Sequence, residues 1–111
     1  MTFERFDVVL VPFPFTDSET KLRRPAVVLS DEGFGAATGQ CLLAMITRAQ
    51  RSAWPGDTAI DDIAAAGLSK PCVVRLKLFT LVNGLIIRKL GRLGDVDAHS
   101  VVTTVRGHLG V

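Results

Sequence analysis

Cysteine is scarce in this sequence: two of 111 residues, Cys41 and Cys72. They form no C-x-x-C pair, and no cysteine–histidine cluster has the spacing of a zinc site. Each begins an apolar run, which reads as a reduced core thiol and fits a cytoplasmic protein. Long apolar runs are missing too. None approaches the roughly 20 residues needed to cross a bilayer as a helix, so no membrane association is expected. The first apolar stretch does not read as a secretion signal, because it is short, follows Glu4 and Asp7, and holds Pro12 and Pro14. There is no Walker A loop, no nucleophile elbow and no dinucleotide-binding glycine pattern. A large excess of one charge is also absent. The net charge of +2 is mild, below the footprint of a dedicated DNA-binding domain. Eleven of the thirteen Lys and Arg do lie between Lys21 and Arg92. A basic central surface fits that distribution, and so do ordinary solvated strand faces.

The chain is long enough for one modest core, and 48% hydrophobic residues can fill it. One domain over residues 1–111 is expected, with no repeat, linker or low-complexity tail. Five stretches read as strands, being rich in Val, Leu and Ile and bounded by turn residues. They are "DVVLVPF", "PAVVLS", "CLLAMIT", "PCVVRLKLFTL" and "GLIIRKLGRL". On the first, Val8 and Leu10 alternate with Val9 and Val11, so both faces are apolar and both should be buried. A further short strand fits "DTAID", and a helical turn fits "DDIAAAGL". Adjacent Asp61 and Asp62 suit a turn or cap better than a paired-carboxylate site.

The C-terminal stretch "GDVDAHSVVTTVRGHLG" has another period. Ala98, Val101, Val102, Val105 and Leu109 recur at helical spacing. Asp95 is a candidate N-cap, and Gly107 and Gly110 offer stops. Acidic residues at the start and Arg106 and His108 at the end suit the helix dipole. His99 and His108 fall outside the apolar stripe, which suggests solvated side chains. One helix closing five to seven strands predicts a mainly β fold, a small barrel capped by a C-terminal helix.

The connection "PFPFTDSETKLRRP" is longer than a structural hairpin needs. Pro12 and Pro14 each remove an N–H donor, so the ladder must end or run at an edge there. Pro25 biases Arg24 towards extended backbone. That would fix Arg24 on a strand edge, where a guanidinium can grip a phosphate through two parallel donors. A surface hairpin with snorkelling basic side chains accounts for the same residues. Thr47 ends the third strand, where its hydroxyl can orient a phosphate or bond its own turn.

Taken together and in order, "DVVLVPFPFTD", "RRPAVVLS", "AMITRAQ" and "AAGLSKPCVVRLKLFTL" with "IIRKLGRL" resemble the PemK/MazF family of toxin endoribonucleases. The resemblance covers nearly the whole chain. It implies an SH3-like barrel, a homodimer and a cognate antitoxin partner whose acidic or extended tail could cover a basic groove. It also implies metal-independent, sequence-selective cleavage of single-stranded RNA such as mRNA, with no cofactor. The products would carry 2′,3′-cyclic phosphate and 5′-OH ends. The catalytic pair would be Arg24 and Thr47. Arg24 would stabilise charge on the phosphorane, and Thr47 would hold a non-bridging oxygen. Phe15, Thr16, Lys21, Arg23, Arg48 and Gln50 would flank or grip RNA, with Arg51 beside them. DNA, lacking the 2′-OH, could bind without being cut. Two positions depart from the family pattern. Phe6 stands where a glycine often precedes the Asp-Val of the first strand, and Arg48 stands where a small or polar residue often follows the threonine.

Trp54, in "SAWPGD", could stack on an unpaired base or cover the barrel mouth. No residue stands out as a general base. Two other readings share the fold: a toxin that inhibits a protein such as DNA gyrase without cutting RNA, and a degenerate member that binds RNA only.

Overall fold

The computed structural model of the chain describes residues 2–13, 22–50 and 53–111. The first strand, β1 (Asp7–Phe13), pairs antiparallel with β2 (Leu22–Val28). A short helix, α1 (Glu32–Thr38), leads into β3 (Gln40–Arg48). The two-residue β4 (Thr58–Ala59) precedes the long β5 (Cys72–Val82). After a 3-10 turn over Asn83–Leu85 come β6 (Arg88–Arg92) and the terminal helix α2 (Asp95–Leu109). Together the strands make one antiparallel sheet in the order β4-β5-β3-β2-β1-β6. The fold is therefore mainly β, with six strands among the described residues and a C-terminal helix.

Alternation along the strands builds two cores, one on each face of the sheet. Val8, Val27, Ala44, Ile46 and Val74 project to one face and pack with Val101 of α2. Val9, Val11, Ala26, Val28, Leu43 and Leu81 project to the other, closed by Phe3 and Ile86. The expectation that β1 is buried on both faces holds: Val8, Val9 and Val11 are all fully buried. Cys41 and Cys72 are free, buried thiols in these cores. Burial pushes both thiols above their ordinary pKa.

The segment between β4 and β5 covers the far edge of β6. The Arg92 N–H donates to the Ala65 carbonyl at 2.9 Å. So close an approach requires glycine, because a Cβ on Gly91 would lie 2.6 Å from the Ala66 carbonyl carbon. This segment makes the single helical turn expected at "DDIAAAGL": the Ala66 N–H donates to the Asp62 carbonyl at 3.3 Å, and the turn closes at Gly67 with the Leu68 N–H on the Ile63 carbonyl at 2.9 Å. Asp97 ties it to α2: its carboxylate, buried, accepts the N–H groups of Asp61 and Asp62 at 2.9 and 3.0 Å.

Several expected boundaries move. Strand β2 begins at Leu22, so Pro25 lies within it rather than at its start. The last strand starts at Arg88, because Asn83–Leu85 turn before it. Helix α1, which the hydrophobic pattern misses, is set by its caps: Asp31 Oδ1 accepts the Phe34 N–H at 2.8 Å, and Gly39 closes it in the left-handed region. For α2 the N-cap is Gly94, not Asp95, which is instead the first helical residue. Gly110 ends α2, and Gly107 lies inside it. Leu109 of the expected apolar stripe, the last residue of the helix, is 52% exposed. Among the described residues, no helix is long and apolar enough to cross a membrane.

Candidate active site

Two prolines shape the site by withholding hydrogen bonds. Strand β1 pairs with β6 only as far as Leu10, so among the described residues Pro12 borders no strand on that side. Strand β2 pairs with β3 from Val28 back to Ala26 and no further. The next residue is Pro25, which has no N–H to continue that ladder. Beyond it β2 stays with β1, Arg24 opposite Val11. Strand β3 stays with β5, Thr47 opposite Val73. The β2–β3 register pairs Ala26 with Met45. Continued past the proline, it sets Pro25 across from Ile46 and Arg24 across from Thr47. Two firmly held strand pairs thus part at Pro25, and the guanidinium and hydroxyl residues face the opening from either side.

Two cavities meet there, and Arg24, Ile46 and Thr47 line both. The larger, about 390 Å³, adds Arg23, Arg48 and the 68–70 segment with Ser69 and Lys70. The smaller, about 270 Å³, adds Phe13, Met45, Arg75 and Lys77. Among the described residues, six cationic side chains line the pair of cavities, and no carboxylate or histidine does. Such a groove attracts an anion.

Arg24 is shaped to receive one. Its guanidinium carbon lies 5.6 Å from the centroid of the Phe13 ring, a cation–π contact that fixes the head group. Among the described residues it makes no ion pair, and its Nε is buried without a hydrogen-bond partner. A buried donor left unpaired costs about 1–3 kcal/mol, which an incoming acceptor would recover.

Arg75 is the opposite case. It is 8% exposed and grips Asp57 with two bonds, Nε to Oδ1 at 3.1 Å and Nη2 to Oδ2 at 3.0 Å. The bonds from Arg75 hold the Asp57 carboxyl below its ordinary range. Asp57 also accepts the Trp54 N–H at 3.0 Å. The Trp54 ring in turn lies 5.2 Å from the Arg75 guanidinium carbon and 5.2 Å from the Lys77 ammonium.

Of the expected site residues, Arg24 and Thr47 come together, and Arg23 and Arg48 line the larger cavity beside them. Gln50 is exposed in the turn after β3 and lines neither cavity. Trp54, 38% exposed, lines neither cavity but contacts Arg75 and Lys77, which line the smaller one. Phe15, Thr16, Lys21 and Arg51 lie outside the described residues. His99 and His108 are exposed on α2, and Asp62 caps a local turn through the Ala65 N–H at 3.0 Å. Sequence reasoning missed Arg75, Lys77, Ser69 and Lys70. One signal was available: Arg75 and Lys77 interrupt the apolar run of β5, where charges are costly without partners.

A family model described as PemK-like, MazF-like toxin of type II toxin-antitoxin system matches residues 4–109. No curated protein matches the sequence. Among solved structures, the chain is similar to a MazE-MazF complex from Deinococcus radiodurans, at 18% identity and a TM-score of 0.79, covering 100% of this chain and 99% of that one. It is similar to an endoribonuclease in complex with its cognate antitoxin from a mycobacterial species, at 14% identity and a TM-score of 0.75, covering 99% and 95%. It is also similar to the Mycobacterium tuberculosis toxin MazF-mt6, at 19% identity and a TM-score of 0.73, covering 95% and 97%. At these identities the likeness is one of fold.

Proposed function

The chain belongs to the PemK-like, MazF-like toxin family of type II toxin-antitoxin systems, and on that premise we propose that it is an endoribonuclease. It cuts single-stranded RNA selectively by sequence, without a metal ion, and a cognate antitoxin neutralises it. The observation that carries this reading is the parting of the strands at Pro25, with Arg24 and Thr47 on opposite lips of a cation-lined opening.

RNA supplies its own nucleophile. The 2′-oxygen attacks the adjacent phosphorus, its proton leaves, the P–O5′ bond breaks, and the 5′-oxygen takes up a proton. The products are a 2′,3′-cyclic phosphate and a 5′-OH. The protein's task is to align the oxygen in line and to stabilise the charge that builds on the equatorial oxygens. The Arg24 guanidinium meets that charge with directed donors, beginning with its unpaired Nε. The Thr47 hydroxyl donates to a non-bridging oxygen and fixes the phosphate's rotation. Arg23, Arg48 and Lys70 take neighbouring phosphates.

The solved relatives described with a partner, MazE or a cognate antitoxin, support an antitoxin for this chain. A strongly cationic groove suits an acidic covering segment. A homodimer in the cytoplasm completes the reading.

The test is cleavage of a long unstructured RNA with chelator present, the parent run beside Arg24→Ala. Defined cuts bearing cyclic phosphate and 5′-OH ends are expected from the parent, and none from the variant. Undiminished cutting by Arg24→Ala would overturn the mechanism. Growth arrest with intact RNA and trapped DNA breaks would point to a gyrase-directed toxin instead.

A further inference from the structure

Resting on the RNA reading above, we propose that Lys77 and Trp54 form a nucleotide-gripping subsite beside the catalytic pair: the ammonium takes a flanking phosphate, and the indole face it leaves receives the base. The geometry begins with the ladder between β3 and β5. Ala44 pairs with Leu78, but the next residue, Met45, pairs with Arg75. Leu76 and Lys77 are therefore passed over, forming a bulge in β5. Bulges re-aim side chains and recur beside functional sites. Here the bulge brings Lys77 to the wall of the smaller cavity, with Phe13, Arg24 and Thr47.

The two cations beside Trp54 differ in how their charge is met. Arg75 is clamped by the Asp57 carboxylate and is 10% exposed in its side chain. Asp57 holds the loop as well: it accepts the Trp54 N–H, and its own N–H donates to the Trp54 carbonyl at 3.1 Å. Arg75, Asp57 and the Trp54 backbone thus form one rigid support. Lys77 is exposed, and among the described residues it has no carboxylate within ion-pair distance. Its ammonium lies 5.2 Å from the centroid of the Trp54 ring. An exposed cation–π contact contributes only about 0.5–1 kcal/mol. A charge-assisted bond to phosphate is stronger, so a phosphate entering the cavity can draw the ammonium off the ring. The uncovered indole remains in place because Asp57 and Arg75 hold it. Base stacking on such a platform contributes about 1–3 kcal/mol.

Trp54 is the chain's single tryptophan, so its emission reports this event alone. The probe is a short single-stranded oligonucleotide of mixed sequence with 2′-O-methyl sugars, which cannot be cut. The parent should bind it with a quench or shift of Trp54 emission. Lys77→Met should bind more weakly, with a slope of log affinity against log salt that is shallower by about 0.7, the value for one phosphate contact on a single strand. Lys77→Arg should restore the slope. Trp54→Phe should keep the slope and lose several-fold in affinity.

An unchanged slope in Lys77→Met, or unchanged Trp54 emission at saturation, would overturn the subsite. Neither readout depends on cleavage. A parent that cuts RNA while Lys77→Met retains the full slope would sink the subsite and leave the nuclease reading standing. A parent that binds with the expected signals yet never cuts would do the reverse, and a parent that binds no single strand would overturn both.

Discussion

Replacing Phe6 tests the backbone logic of the fold in an unusual way, because alanine should be worse than glycine there. Phe6 has φ +74°, and it is the one non-glycine residue with positive φ among those described. Its N–H donates to the Val28 carbonyl at 2.7 Å, and its carbonyl accepts the Leu93 N–H at 3.0 Å. These bonds stitch the start of β1 to β2 and to the end of β6, and they fix the left-handed conformation. For a residue with a Cβ that conformation costs about 1–2 kcal/mol. The ring offsets the strain by packing, partly buried, against the core shared by Val8, Leu93 and Val101. Half-burial of a phenyl ring contributes about 1–1.5 kcal/mol.

Phe6→Ala loses the ring and keeps the strain; Phe6→Gly loses the ring and the strain together. The glycine variant should therefore be more stable than the alanine variant by about 1 kcal/mol. At an unstrained site glycine would be less stable by about 0.5–1 kcal/mol. Urea denaturation at constant m-value reads the difference as a shift in midpoint, and thermal melting should separate the two by about 4 °C. A glycine variant equal to or below the alanine variant would refute the assignment of strain to this position.

Two further outcomes follow from packing and charge. Gly91→Ala should destabilise the fold by about 2–3 kcal/mol, seen by denaturation, because the added methyl meets the Ala65–Ala66 backbone rather than a side chain that can turn away. The Asp57 carboxyl is held below its ordinary value of 3.8 by its bonds from Arg75, so the folded state takes its proton less readily than the unfolded chain. Its contribution to stability is complete above that ordinary value and is lost as pH falls through the lower folded one. Asp57→Asn should accordingly flatten the acid limb of stability against pH below about 4, leaving the neutral-pH profile parallel to the parent's. An identical acid limb in the variant would remove the clamp from the account.

Much of the sheet was legible because its strands are β-branched runs broken by turn residues, and the double burial of β1 followed from apolar residues on both of its faces. Helix α1 was not legible from periodicity, since "EGFGAAT" carries two glycines and no apolar stripe, and its caps define it instead. The N-cap of α2 was misplaced for a related reason. Asp97, two residues on from the expected cap, uses its carboxylate on the distant N–H groups of Asp61 and Asp62, a long-range contact that no local pattern encodes. At the site, Arg24 could be read from its place before Pro25. Arg75 and Lys77 could not, because their positions depend on a bulge set by pairing with β3. The ion pair that accommodates Arg75 in the interior also comes from a distance, from Asp57, eighteen residues earlier.

The account stands most directly on Arg24 and Thr47 acting as one unit on a single phosphate. A double-mutant cycle with Arg24→Lys and Thr47→Val, read as single-turnover cleavage of a defined RNA, measures that coupling. Each single change should slow cleavage by about 10²–10³, and the pair together by little more than the worse single change. Fully multiplicative losses, or a Thr47→Val variant as fast as the parent, would contradict it.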